Sequence, residues 1–267
     1  MPRIRAAVEG DERLVGSDRV LAVLIELAAL PTGATLEDMV QRTGHPKATV
    51  HRALAALKRS GLAAQDGRGH YILGDEFLRL AFAHHEARPE NVRVRPILDR
   101  LAERFGETIH FAVLDGTDVV YRDKVDPSGG AVRLTSTVGG RNPAHCTGVG
   151  KALLATRLRT LAEVRAWVGD RTLERRTSTT ATSAEELHER LVESRDRGYA
   201  VDDQENETGI NCIAVPVYLG SPSKPSGAVS VSAVAYRTPL PTLVAAADEI
   251  RRIVTLPNGS SQPTFIK

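Results

Sequence analysis

Three stretches of the sequence carry residue types at spacings that suit chemistry. The first is residues 44–62. Pro46 fits the first position of a helix, where its missing N–H costs nothing, and Gly61 suits the left-handed residue that ends one. Between them Val50, Leu54 and Leu57 fall at i, i+4 and i+7, one apolar stripe. Off that stripe the first turns carry Lys47, Thr49, His51 and Arg52, all donors and none a carboxylate. A buried stripe opposite groups that seek phosphates and base edges is the pattern of a DNA-recognition helix. An ordinary surface helix with solvated charges shares it.

The second stretch is residues 139–155, where glycines lead into a helix around Gly148 and Val149. Free backbone N–H groups converge at such a start and favour a carboxylate or another small anion. The glycines lack the spacing of a P-loop. The third is residues 198–217, an acidic loop holding Asp202 that runs into a strand beginning at Cys212. Ser230 and Ser232 follow, at period two and so on one face of a strand. The neighbours His145 and Cys146 invite a nucleophile–base pairing, but no third orienting group stands out. His45, His51 and His70 are too scattered for a metal site. No catalysis, metal or cofactor is expected.

Elements must position these groups. Residues 1–16 are polar, without periodicity, and read as a mobile arm. Ser17 can cap a helix over 17–30, with Val20, Leu21, Leu24, Leu27 and Ala28 as its apolar face. Thr35 caps a second helix that Gly44 stops, and the next helix completes a helix-turn-helix. Residues 62–65 and 70–73 form strands around Asp66-Gly67-Arg68-Gly69, a wing with Arg68 at its tip, able to reach the minor groove. Residues 17–74 therefore read as a winged helix-turn-helix DNA-binding domain. A helix over 75–87, with Phe77, Leu78, Ala81 and Phe82 on one side, opens a linker and dimer contact over 75–93. From Val94 to residue 256 strands and helices intersperse. Strands are expected at 108–114, 119–125, 132–134, 213–217 and 228–234, a capping box at Ser183 and Glu186, and one last helix over 240–254. Residues 257–267 read as a tail. The fold class is α+β.

Length and composition agree with this division. The 267 residues allow two domains, and 42 % hydrophobic with 25 % charged residues is ordinary for a globular chain. No run approaches the ~18–20 apolar residues that span a bilayer, so no membrane partner is expected. Residues 1–18 lack the apolar core of a secretory signal. Two cysteines make no disulfide framework, and a cytoplasmic location is the default. The net charge of +2 is small, but residues 42–68 hold Arg42, Lys47, Arg52, Lys58, Arg59 and Arg68 against Asp66 alone. Positive charge is concentrated where phosphate contact would need it.

Three features in this order resemble the IclR-type transcriptional regulators. They are Pro46-Lys47-Ala48-Thr49-Val50-His51-Arg52 in the winged module, the run from Pro143 through Gly148-Val149-Gly150-Lys151-Ala152-Leu153-Leu154-Ala155, and Gly198-Tyr199 with Asp202-Asp203, Glu205, Gly209 and Cys212-Ile213-Ala214. The resemblance implies a winged helix-turn-helix, a linker helix and a GAF-like α/β effector-binding domain. It implies homodimers that often pair into tetramers on a palindromic double-stranded DNA operator. It also implies a small-molecule metabolite effector, often a carboxylic acid. By position it sets Asp202, Cys212, Ser230 and Ser232 around the ligand, with backbone amides near Gly148 and Val149. Short hydroxyl and thiol donors beside N–H groups suit a small oxyanion. Cys146 departs from the pattern, since members usually carry a smaller or non-thiol residue there. The runner-up is a GAF-like metabolite-binding protein or thiol enzyme whose winged module serves protein contacts.

Overall fold

The computed structural model describes residues 16–86, 89–127 and 134–255. The expected tail, nearly all of the arm and most of the strand expected at 132–134 lie outside them. The chain divides into two compact units, Met1–Ala87 and Arg88–Lys267.

In the first unit, α1 (Gly16–Ala28), α2 (Leu36–Thr43) and α3 (Lys47–Arg59) precede a hairpin of β1 (Ala63–Gln65) and β2 (Tyr71–Leu73), and α4 (Asp75–Glu86) follows. Ser17 lies inside α1 instead of capping it. The buried face of α1 is Val23 and Leu27 flanked by Val20 and Leu24, while Leu21 stays 56 % exposed. The apolar residues outnumber one face, so the stripe is turned by roughly 50° from the expected one, with Val23 replacing Leu21 and Ala28 on the inside. Thr35 caps α2 with a capping box to Asp38, and Gly44 ends it at φ +67°. Pro46 is the N-cap of α3, one place before its expected position. Gly61 at φ +72° ends α3, and the N–H groups of Leu62 and Gly61 reach the carbonyls of Leu57 and Lys58. That pair of bonds is a Schellman closure.

The second unit opens on α5 (Pro89–Phe105), which starts five residues before the expected Val94 and runs through Pro96. A proline inside a helix removes the bond to the carbonyl four residues earlier. Here that carbonyl belongs to Val92, and both residues face solvent, where water can serve it. The opposite face holds Val94, Ile97, Leu98 and Leu101 in the core. Then come β3 (Thr108–Asp115), β4 (Asp118–Val125), β5 (Arg141–Pro143), α6 (Gly148–Arg157), α7 (Leu161–Val168), α8 (Ala184–Arg197), β6 (Ala200–Asp203), β7 (Ile210–Val217), β8 (Gly227–Val234), α9 (Leu240–Ala245) and α10 (Ala247–Thr255). The expected last helix is thus two, parted at Ala246, whose N–H tightens onto the carbonyl of Leu243. The short strands β5 and β6 were not expected, since neither has a periodic apolar pattern.

The six strands form one antiparallel sheet in the order β5-β4-β3-β8-β7-β6. Ile109, Phe111, Ile213, Val215, Val229 and Val231 pack on one face with α5, α9 and α10. Ala112, Ala214 and Ala228 face the other way, toward α6, α7 and α8. Two cores therefore sandwich the sheet. The alternate residues of β8, Ser230 and Ser232, must point to the α6 face.

Candidate effector cavity and nucleic-acid face

The sequence makes α3 a helix with one buried side, Val50, Ala53, Leu54 and Leu57. Lys47, His51, Arg52 and, in the wing turn, Arg68 are exposed, and Thr49 is half-buried. Lys47 pairs with Glu37 at 2.8 Å, an exposed contact that a phosphate can displace. Lys58 is otherwise engaged: its Nζ donates to Gln65 Oε1 at 2.9 Å and sits 5.8 Å from the Tyr71 ring centre. In the wing, the N–H groups of Arg68 and His70 donate to Asp66 Oδ1 at 2.9 and 2.8 Å. That pins the turn and leaves the Arg68 side chain without a protein partner among the described residues.

In the second unit the strand register builds the site. His110 pairs across with Ser230, Ser232 with Cys212, and Cys212 with Asp202. The pleat sets all five on the sheet face toward α6. There, with Gly148 and Val149 at the start of α6, they line one cavity of about 230 Å³. All six residues expected at the effector site, Gly148, Val149, Asp202, Cys212, Ser230 and Ser232, border it. A Cβ at Gly148 would be tight, 3.0 Å from Cys212 Sγ and 3.4 Å from Ala214 Cβ, so a side chain there would have to push the Cys212 thiol aside by a few tenths of an ångström. The Thr147 hydroxyl caps α6 by accepting from the Gly150 N–H. The N–H groups of Gly148 and Val149 have no intrahelical acceptor.

Sequence reasoning missed His110, Tyr121, Ser136, Asn142 and Arg176, which also line the cavity. The signal for His110 was its alternation with buried Ile109 and Phe111 in a strand; for the others there was none. His110 Nε2 lies 2.7 Å from Ser136 Oγ, and its Nδ1 lies 3.4 and 3.3 Å from the Ser230 and Ser232 hydroxyls. Burial, helped by the Lys124 ammonium, pulls the ring down to about 3, so it is neutral at physiological pH. Burial pushes the Tyr121 phenol up.

The acidic stretch is divided: Asp202 and Glu205 are buried, while Asp203 and Glu207 stay exposed. Lys151 of α6 and Glu205 form a buried ion pair, 1 % and 2 % exposed. Thr179 and Thr180 donate to the backbone carbonyls of residues 203–205, and Arg176 Nε donates to that of Asn206 at 2.9 Å. Asp202 Oδ1 accepts the N–H of Glu205 at 2.7 Å and of Asn206 at 3.3 Å. Burial nevertheless pushes its carboxyl up to about 7, against the pull of the Lys151 ammonium. From pH ~4, the usual carboxylate value, to about 7, the folded chain keeps a proton that the unfolded chain has lost. Stability from this group must therefore fall as pH rises through that window and stay low above it. Asp202→Asn has no such proton. Its stability relative to wild type is expected to rise between pH 4 and pH 8 in thermal melts; a pH-independent difference would contradict the assignment.

Cys212 and Cys146 are both buried, and burial pushes each thiol up to about 12. Ser232 donates to Cys212 Sγ at 3.3 Å. Cys146 sits in the turn between β5 and α6, its thiol on the Pro143 carbonyl at 3.5 Å and outside the cavity lining. His145 Nε2 meets the carbonyl of Glu174 at 3.0 Å. Thiols held protonated are poor nucleophiles. Among the described residues no cluster of three His, Cys, Asp or Glu side chains could hold a metal, and no helix is long and apolar enough to cross a membrane.

A winged helix-turn-helix in one unit and a ligand-sized cavity in the other define the class of DNA-binding regulators that carry a sensor domain. Two family profiles cover most of the chain: the IclR helix-turn-helix domain over residues 17–67 and the bacterial transcriptional regulator IclR C-terminal domain over residues 91–254. The chain belongs to the IclR family of bacterial transcriptional regulators. It is 33 % identical over 219 residues to the Pca regulon regulatory protein of Pseudomonas putida, covering 82 % of this chain and 74 % of that protein. It is also 33 % identical over 215 residues to the transcriptional repressor IclR of Escherichia coli, 78 % and 76 % covered. Among solved structures it resembles a putative transcriptional regulator from a Rhodococcus species (TM-score 0.73, 28 % identity, 91 % and 98 % covered). It shares the fold of an IclR homologue from Microbacterium hydrocarbonoxydans complexed with 4-hydroxybenzoate (TM-score 0.75, 24 % identity, 90 % and 98 % covered).

Proposed function

We propose that the protein is a cytoplasmic, ligand-responsive regulator that binds a palindromic operator as a homodimer or a tetramer. Lys47, Thr49, His51 and Arg52 reach base edges and phosphates in the major groove, and Arg68 the adjoining backbone or minor groove. A small carboxylate-containing metabolite enters the GAF-like sensor unit and shifts the population between DNA-competent and DNA-incompetent forms. The observation that carries the ligand reading is the start of α6. Two N–H groups without intrahelical acceptors border a cavity rich in hydroxyls, an arrangement that favours an anion. Exposed Leu78, Leu80 and Phe82 on α4 support self-association.

The test is a mobility shift with DNA from upstream of the protein's own gene and its neighbours, with and without a panel of small acids. Specific binding that an acid changes is the expected result. Absence of specific binding at any salt concentration would overturn the reading. Arg52→Ala is expected to weaken operator binding by about 1–3 kcal/mol, roughly fivefold to 150-fold, with an unchanged melting curve. Unchanged affinity would remove Arg52 from the contact set.

A further inference from the structure

We propose that the cavity takes a polyhydroxylated acid of the aldonic or uronic type, and that Asp202, Tyr121, His110, Ser230 and Ser232 read its hydroxyl groups. This rests on the cavity being the effector site and adds the class of ligand. Two buried groups in the wall are half satisfied. Asp202, 5 % exposed, uses Oδ1 for two backbone N–H groups, while Oδ2 has no donor among the described residues. Tyr121, 7 % exposed, accepts from Asn142 Nδ2 at 3.2 Å, and its own O–H finds no acceptor among them. One cavity thus presents an open carboxyl oxygen and an open hydroxyl donor. A carboxyl that loses its proton only near pH 7 calls for an acceptor or a donor according to pH, and neither a methyl group nor an unsubstituted ring can serve it or the Tyr121 hydroxyl. A hydroxyl both donates and accepts.

The remaining wall repeats the pattern. His110 links Ser136 on one ring nitrogen to Ser230 and Ser232 on the other. A neutral imidazole donates from one nitrogen and accepts at the other, so this relay can meet ligand hydroxyls in either sense. Aliphatic lining is confined to Leu134, Val149 and Ile210, and the flat walls are the rings of His110 and Tyr121, whose polar atoms belong to the hydroxyl-reading set. Such a polar cavity holds water when free, and ligand hydroxyls reproduce the bonds of displaced water where an apolar ligand cannot. Each wall group left unpaired is expected to weaken binding roughly fivefold to 150-fold.

Calorimetric titration of the full-length protein with D-gluconate, D-galacturonate, hexanoate, benzoate and D-glucitol tests this. At least one of the two hydroxylated acids is expected to bind at least about 50-fold more tightly than hexanoate and benzoate. D-Glucitol, lacking the carboxylate, should bind more weakly than that acid. Tyr121→Phe, which removes only the O–H, and His110→Phe should each narrow the gap between that acid and hexanoate by about fivefold or more. Should His110→Phe not fold, Ser230→Ala gives the same comparison. Hexanoate or benzoate binding as tightly as the hydroxylated acids, or a gap untouched by these variants, overturns the proposal and leaves the effector site standing. No binding by any acid, with DNA affinity insensitive to all of them, overturns both.

Discussion

Lys151→Met is expected to lower the stability of the sensor unit by about 3–5 kcal/mol, because it strands a buried carboxylate. Lys151 and Glu205 are each at least 98 % buried, as their 1 % and 2 % side-chain exposures show. Glu205 Oε2 has no hydrogen-bond partner among the described residues. The Lys151 ammonium also opposes the burial that raises Asp202, so its loss leaves two carboxyls in one low-dielectric site. Methionine keeps the length and flexibility of the stem, which limits the packing change. Trp167, the only tryptophan, packs against the core that α6 and α8 share, so its fluorescence during urea unfolding reports on this unit. The double variant Lys151→Met/Glu205→Leu should recover most of the loss, since two apolar groups leave no charge behind. A loss below about 1 kcal/mol in the single variant would mean that water reaches the pair.

Leu54→Ala is the second large effect. Leu54 is wholly buried at the centre of α3's inner stripe, and truncating a core leucine costs about 2–5 kcal/mol. A winged unit this small has a total stability on the order of 3–5 kcal/mol. The variant should therefore lose the far-ultraviolet signal of that unit at 37 °C and lose operator binding with it, although Leu54 touches no DNA. The Trp167 transition should stay where it is in wild type. That pattern separates it from Arg52→Ala, which is expected to weaken DNA binding with the helix content intact. A Trp167 transition that fell in step would show the two units unfolding together.

The first unit was legible because its signals are local. A capping box at Thr35 and Asp38, left-handed glycines at 44 and 61 and a Gly-rich turn at 66–69 each act within a few residues of themselves. The cavity was legible only in part. Ser230 and Ser232 could be put on one face by strand periodicity, but that His110 stands opposite Ser230 is a matter of strand order, β3 beside β8, across 120 residues. Nothing local encodes that pairing. The burial of Lys151 and Glu205 was hidden for the same reason: in sequence they are a helix-surface lysine and one acid among several. Helix α5 runs through Pro96 because the pattern of Ile97, Leu98 and Leu101 outweighs a proline whose lost bond faces water.

The contact of Lys58 with Gln65 and Tyr71 bears on how DNA is engaged. Tyr71 exchanges backbone hydrogen bonds with Ala34 at 2.7 and 2.9 Å, and a Cβ on Gly74 would fall 2.1 Å from the Gly61 carbonyl, so the base of the wing has almost no slack. Recognition helix and wing are thus fastened to each other before any nucleic acid arrives. Little conformational freedom remains to be surrendered on association, and preorganisation of this kind improves affinity without adding a contact. It also fixes the reach from Arg52 to Arg68, so if these are the DNA contacts proposed above, the helix and the wing-tip would engage a duplex in register or not at all. Loosening the wing would then blur discrimination between operators before it weakened binding to any one of them.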